Sequence, residues 1–305
     1  MSRGVARRRR ASGRDGFILV SVLLALIVLG GLVAAVAYLT RTAVVGAASA
    51  REALVIDSLV QSGVELAAYE LFTLKRPAAL VNGQRIRLND GVVTLFAMSE
   101  AGKVDLNTSP PELLAGLWNA IGAPGMPPET FAARIVDFRD VNDEVSKNGG
   151  AEMAQYTAAG PDKAPANGPF ERIDQLQDVL DVTPAQALQL APLVTVHNPD
   201  GKVAILEASL ATLRAIPGGA KLIDQIPALK ASRREGQDEN QADALARQLG
   251  DAAKFVTLDS EPKAFSVRVE VERNGARRAI ELILTASKTP VALYFVTDRI
   301  ERPTR

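Results

Sequence analysis

The chain has 305 residues, with 35 Lys and Arg against 35 Asp and Glu, no cysteine and a single histidine, His197. A formal charge of zero removes the electrostatic footprint of a nucleic-acid binder. The lack of Cys and the lone His exclude disulfides, thiolate chemistry, zinc clusters and most histidine-based catalysis, so a bound metal would have to be a hard ion that takes oxygen ligands.

The first element is the plainest. From Phe17 to Thr40 there is no charged residue, and at the usual rise per residue such a helix is about 36 Å long, enough to cross a hydrocarbon core. Upstream stand Arg3, Arg7, Arg8, Arg9, Arg10 and Arg14 against Asp15 alone, with Arg41 nearly isolated beyond. That asymmetry predicts a cytoplasmic N-terminus and a chain that lies outside the membrane after about residue 41. The apolar run is too long for a cleaved secretory signal. Helix-forming sequence continues through Val45, Leu54, Leu59, Val64 and Leu71, with no turn signal before Lys75, Arg76 and Pro77, so one helix of more than 50 residues is expected. Its first half suits lipid and its second half is amphipathic.

Gly91 to Glu100 reads as a strand. Near the C-terminus Phe265, Val267, Val269 and Val271 share one face, while Arg268, Glu270 and Glu272 share the other. Asn274-Gly275 is a favoured hairpin dipeptide; it predicts a partner strand over Arg278 to Thr285, with a third strand over Val291 to Thr297. Three antiparallel strands need cover on their apolar face, and the amphipathic half of the first helix can supply it.

Between these strands lie roughly 150 residues of short helices rich in Ala, Leu, Pro and Asp. Two segments resemble each other, KVDLNTSPPELLAGL from Lys103 and KVAILEASLATLRAI from Lys202. In the first copy Asn107, Thr108 or Ser109 is expected to cap a helix, with Glu112 placed as in a capping box. The second copy is expected to lack polar caps. Trp118 falls at helical spacing and is expected in the core, whereas His197 reads as a turn residue. Leu213 to Ile226 has the apolar-Pro-Gly centre of a helix-hairpin-helix but few basic flanks, which favours packing over phosphate binding. Ser232 to Gln248 reads as a charged helix face or linker.

The stretch DFRDVNDEVSKNGGAE is dense in oxygen donors. Asp140, Asn142 and Glu144 have calcium-loop spacing, but Val145 stands where an EF-hand needs Gly, and Glu152 comes one place late. A solvated acidic loop and a calcium loop both fit these residues. No phosphate loop, serine elbow or acid-base constellation is present, so no enzyme is expected.

A basic leader ending at Gly16, followed directly by Phe17 and an unbroken hydrophobic helix, resembles the class III signal of type IV pilins and type II secretion pseudopilins. The ordered pieces DLNTSPPELLAGL, DFRDVNDEV, GGAE, NGPFERIDQL and LDVTPAQALQLAPLVTV resemble the helical domain inserted into the K-type minor pseudopilins. The resemblance implies an α+β fold, pilin-like, with a long N-terminal helix on an antiparallel sheet and a large all-α insertion. The implied parts are a leader over 1–16, an N-terminal helix over 17–76 with 17–40 in the membrane, a pilin-like domain from 77–103 and 255–305, and an inserted helical domain over 104–254. It implies cutting by a prepilin peptidase between Gly16 and Phe17, methylation of Phe17, and assembly through Phe17 and Ser21. Ser21 replaces the Glu usual in the family, an absence typical of the K type. It further implies a single-pass inner-membrane protein with a periplasmic C-terminal part, at the tip of a pseudopilus supporting export across the outer membrane. Its implied partners are the minor pseudopilins I and J and the inner-membrane secretion platform. Asp137, Asp140, Asn142 and Glu152 map onto the family's calcium pattern. An anchored periplasmic binding or calcium-binding protein that enters no fibre is the alternative.

Overall fold

In the computed structural model the described residues are 13–234, 250–258, 261–287, 289 and 292–301. The first part of the expected leader, most of the charged stretch from Ser232 to Gln248, and Val291 lie outside them. The chain divides into two compact units, Met1–Ser58 and Leu59–Arg305.

Helix α1 runs from Gly13 to Ala68 and passes into a five-residue π-helical turn, Tyr69–Thr73. Its length follows from the sequence, whose first proline is Pro77. From Phe17 to Leu39 its large apolar side chains are exposed, and the helix is long and apolar enough to cross a membrane, with a mean hydropathy of 3.0 over its best window.

In the second unit, α2 (Ala78–Val81) precedes strands β1 (Gln84–Leu88) and β2 (Gly91–Ser99). A helical insertion then separates β2 from β7 (Ala264–Arg273), β8 (Ala276–Ala286) and β9 (Tyr294–Glu301). These five strands form one antiparallel sheet in the order β1-β2-β7-β8-β9. Strand β1 was not expected from the sequence, because five residues with two arginines carry little strand signal. The expected hairpin forms, with positive φ at both Asn274 and Gly275 as a type I′ turn requires.

Val93, Leu95, Val267, Val269 and Val271 are buried, as are Leu59, Val60, Val64 and Leu71 of the helix segment that covers them. Gly63 sets the approach: a β-carbon there would lie 2.6 Å from Val269 Cγ1 and 2.8 Å from Val93 Cγ1. Beyond the helix end, Phe72 meets Phe265 edge to face at 5.3 Å.

The insertion holds α3 (Pro111–Ala120), α4 (Pro128–Arg139), α5 (Met153–Ala159), α6 (Pro184–Leu190), α7 (Leu210–Ala215), α8 (Ala220–Ile223) and α9 (Ile226–Arg234). It is not purely helical: β3 (Val104–Asp105) pairs in parallel with β4 (Val194–Thr195), and β5 (Val203–Ala204) with β6 (Val256–Thr257). Its own core contains Trp118, stacked on Phe131 at 4.6 Å with its indole N–H donating to Met126 O at 3.0 Å.

The weak sequence repeat is a structural one. Repeat-equivalent residues open α3 (Pro111) and α7 (Leu210), and form β3 and β5, each paired with a later Val-Thr. The contacts between the copies are reciprocal. A β-carbon on Gly102 would lie 2.5 Å from Glu207 O, and one on the equivalent Gly201 3.0 Å from Thr108 O, itself the equivalent of Glu207. At the centre, Gly116 meets its own equivalent, Ala215, whose carbonyl oxygen would be 1.8 Å from an added β-carbon. Such reciprocity is what an approximate two-fold axis between two copies produces.

The capping expectation is reversed. Pro110 occupies the N-cap of α3 without a side-chain hydrogen bond, and Ser109 is buried with its hydroxyl unpartnered. In the second copy Ser209 Oγ accepts from Thr212 N at 3.1 Å. Pro111 holds the preceding Pro110 in extended conformation and brings a φ already suited to the first helical position, so α3 starts without a polar cap.

Because the Ala215 carbonyl is main chain and cannot swing aside, Gly116→Ala should cost about 2–3 kcal/mol. A thermal melt should show the midpoint lowered by roughly 5–10 °C; an unchanged midpoint would contradict the crossing.

Candidate functional site, an acidic pocket in the helical insertion

The last turn of α4 and the first residue before α5 bring three carboxylates into one region. Asp137 is fully buried on α4, Asp140 is its C-cap residue in extended conformation, and Glu152 is the N-cap of α5. The loop between them folds back because Asn148 and Gly149 take positive φ. It is held by Thr130 Oγ1 donating to Asn148 O at 2.8 Å and Arg134 Nε donating to Gly149 O at 3.3 Å. Gly150 has no substitute here, since a β-carbon would lie 2.1 Å from Asp137 Oδ2.

Asp137 Oδ2 accepts from Ser146 N at 3.0 Å. Asp137 Oδ1, Asp140 Oδ1 and both Glu152 oxygens are buried and have no partner. At the start of α5 Gln155 Oε1 accepts from Glu152 N at 3.0 Å, whereas neither Glu152 carboxylate oxygen has a hydrogen-bond partner. Four orphaned carboxylate oxygens in one region are costly unless a proton or a cation meets them. Burial, with Asp137, Asp140 and Asp143 nearby, pushes the Glu152 carboxyl up to about 7. The nearby cation, Arg139, feels the charge of Asp140 but makes no hydrogen bond to the unpartnered oxygens. Arg139 donates to the main-chain oxygens of Leu106 and of Ser109, the latter at 3.0 Å, and its own burial lowers its pKa.

The expected ligand set is gathered only in part. Asn142 is exposed and its side-chain oxygen accepts from Glu144 N at 2.7 Å, so it serves a local turn. Asp143, which calcium-loop spacing had passed over, bears on Glu152 in addition to Asp137 and Asp140. The donors are all oxygen, the chemistry a hard cation needs, although among the described residues no three acidic groups converge closely enough to hold a metal as they stand.

The residues expected to serve processing and assembly lie on α1. Phe17 is 75% exposed, and Ser21 turns its hydroxyl back to Phe17 O at 2.9 Å, an internal helical bond. The helix-hairpin-helix-like turn is packed: Leu213 and Ile216 are buried, and a β-carbon on Gly219 would lie 2.1 Å from Leu213 O. The His197 main-chain N–H donates to Thr195 Oγ1 at 3.0 Å.

Residues 95–199 match the family described as type II secretion system, protein K. That span contains α3 to α6 and the whole acidic pocket. No curated protein sequence matches the chain. A chain of the GspK-GspI-GspJ complex from the type 2 secretion system of enterotoxigenic Escherichia coli shares the fold with a TM-score of 0.60 at 18% identity, over 84% of this chain and 99% of that one. The likeness to K-type minor pseudopilins read from the sequence is therefore borne out, by sequence for residues 95–199 and by fold for most of the chain.

The folded chain holds a proton on Glu152 that the unfolded chain releases between pH 4.5 and about 7. With divalent ions chelated, stability should thus fall as pH rises across that interval. Urea unfolding at pH 5 and pH 7.5 measures this, and Glu152→Gln should flatten the difference; a wild-type chain more stable at pH 7.5 than the variant is, relative to pH 5, would refute it.

Proposed function

We propose that this chain is a minor pseudopilin of the K type, processed between Gly16 and Phe17 and assembled through α1 at the tip of a periplasmic pseudopilus that supports protein export across the outer membrane. The observation that carries this is the combination of a protein K domain, set between two strands of a sheet, with a long apolar helix whose C-terminal turns cover that sheet. Its action is geometric and involves no catalysis. Helix α1 packs among equivalent helices, and the bulky insertion leaves no room for a subunit above. Ser21 supports the terminal place, because a subunit with no neighbour above has no N-terminal amine to neutralise. The related complex joins GspK to GspI and GspJ, and the corresponding minor pseudopilins are this chain's proposed partners, alongside the prepilin peptidase and the inner-membrane platform. The arginine-rich leader stays cytoplasmic and the second unit lies in the periplasm.

Calcium is the proposed occupant of the acidic pocket. Asp137, Asp140 and Glu152 would hold it, and the ion would supply the positive charge that their unpartnered oxygens lack. The ion's role is to order the loop between α4 and α5.

Two measurements test these proposals. In a host with an active prepilin peptidase, the mature protein should have the mass of a chain beginning at Phe17 plus one methyl group; an intact Met1 would sink the pseudopilin reading. At pH 7.5, adding calcium to chelator-treated protein should raise the melting midpoint by about 5 °C or more. Asp140→Ala and Glu152→Ala should each abolish that rise, and no shift in the unaltered protein removes the calcium site.

A further inference from the structure

We propose that a buried ion pair, Glu100 with Lys103, backed by Ser266, Asn198 and Asp105, is a clamp that fixes the direction in which the helical insertion leaves the sheet. An inserted module is joined to its host by two chain crossings, and without cross-links those crossings act as hinges. Here they are cross-linked. Glu100 and Lys103 lie where the chain leaves β2, and Ser266 lies on β7, where it returns. Lys103 Nζ donates to Glu100 Oε1 at 2.7 Å and to Ser266 Oγ at 3.3 Å, and the Ser266 hydroxyl donates to Glu100.

A second layer ties this pair to the insertion. Asn198, between the two repeat copies, donates its side-chain amide to Lys202 O at 2.9 Å and, more weakly, to Lys103 O. Its main-chain N–H donates to Asp105 Oδ2 at 2.8 Å, while Asp105 Oδ1 accepts from Asn107 and Thr108. The way out of the sheet, the junction of the copies and the way back thus meet in one hydrogen-bonded network. Gly102 lets Glu207 come close beside it.

The chemistry favours orientation over strength. Glu100 is fully buried and keeps one carboxylate oxygen unpartnered, and Lys103 is 8% exposed. A buried pair of this kind is seldom more stable than two apolar side chains of similar volume, but it accepts one geometry where an apolar contact tolerates several. For a subunit whose proposed role is to project a bulky module, that selectivity is what the pair contributes.

The full chain in detergent can test this, and because it has no cysteine, spin labels can be placed freely through Arg85→Cys on β1 and Leu188→Cys on α6. The wild-type background should give a narrow distance distribution. In Glu100→Met/Lys103→Met it should widen about twofold while the chain still melts cooperatively. Ser266→Ala, a milder change, should widen it to an intermediate degree. An unchanged width in either folded variant overturns the proposal. In the unaltered protein the Lys103 and Asn198 amides should exchange within about tenfold of the Val269 amide; exchange at loop rates would also overturn it.

Discussion

The apolar face of the sheet must be covered, and the last turns of α1 cover it. Gly63 brings the helix backbone down between Val93 and Val269, and neither valine could stay in place beside a larger residue. Everything else in the second unit follows from this contact. The sheet is a stable platform only with that cover, and only on such a platform can a large module be spliced between β2 and β7 without unravelling their pairing. Function follows in the same way: the helix that covers the sheet is also the one with a membrane-length apolar run, so fold and anchoring share one element.

The insertion solves a different problem, since its short helices cannot bury their apolar faces one by one. Doubling a single unit and facing the copies through Gly116 and Ala215 creates a shared core, closed off by two-residue parallel strand pairs. The copies differ in their helix starts. The second has a plain serine cap, whereas the first opens on prolines without a side-chain cap and leads on to the acidic pocket. Within the described residues that pocket is the insertion's conspicuous unbalanced charge, since Arg139 gives its hydrogen bonds to main-chain oxygens and none to the unpartnered carboxylate oxygens. The cost of orphaned carboxylates is tolerable if a cation or proton is bound.

Most of the fold was legible in the sequence because its signals are local. The long helix shows as an unbroken apolar run without proline, β2, β7 and β8 show as alternation, and the hairpin shows as Asn-Gly. What escaped was weakly patterned or non-local. Strand β1 hides two arginines on its exposed face, and β3 to β6 are two residues each, far below any periodic signal. Ser109 looked like a cap by spacing, yet the two prolines beside it moved the helix start past it.

The acidic pocket divides the same way. Spacing brought Asp140 and Glu152 to notice, and the resemblance to the K-type pattern added Asp137. Spacing could not show that Asn142 would turn to Glu144, nor that Asp143 would act on Glu152, because loop φ and ψ decide where short side chains point. By itself, then, the sequence determined the helix, its charge asymmetry, the strand pattern and the existence of a repeat, all properties carried by neighbouring residues. Only the tertiary structure decided that the repeat faces itself reciprocally, that carboxylate oxygens are left unpartnered, and that Glu100, Lys103 and Ser266 meet across 166 residues. Those outcomes depend on burial and on contacts between distant segments, which no local pattern encodes.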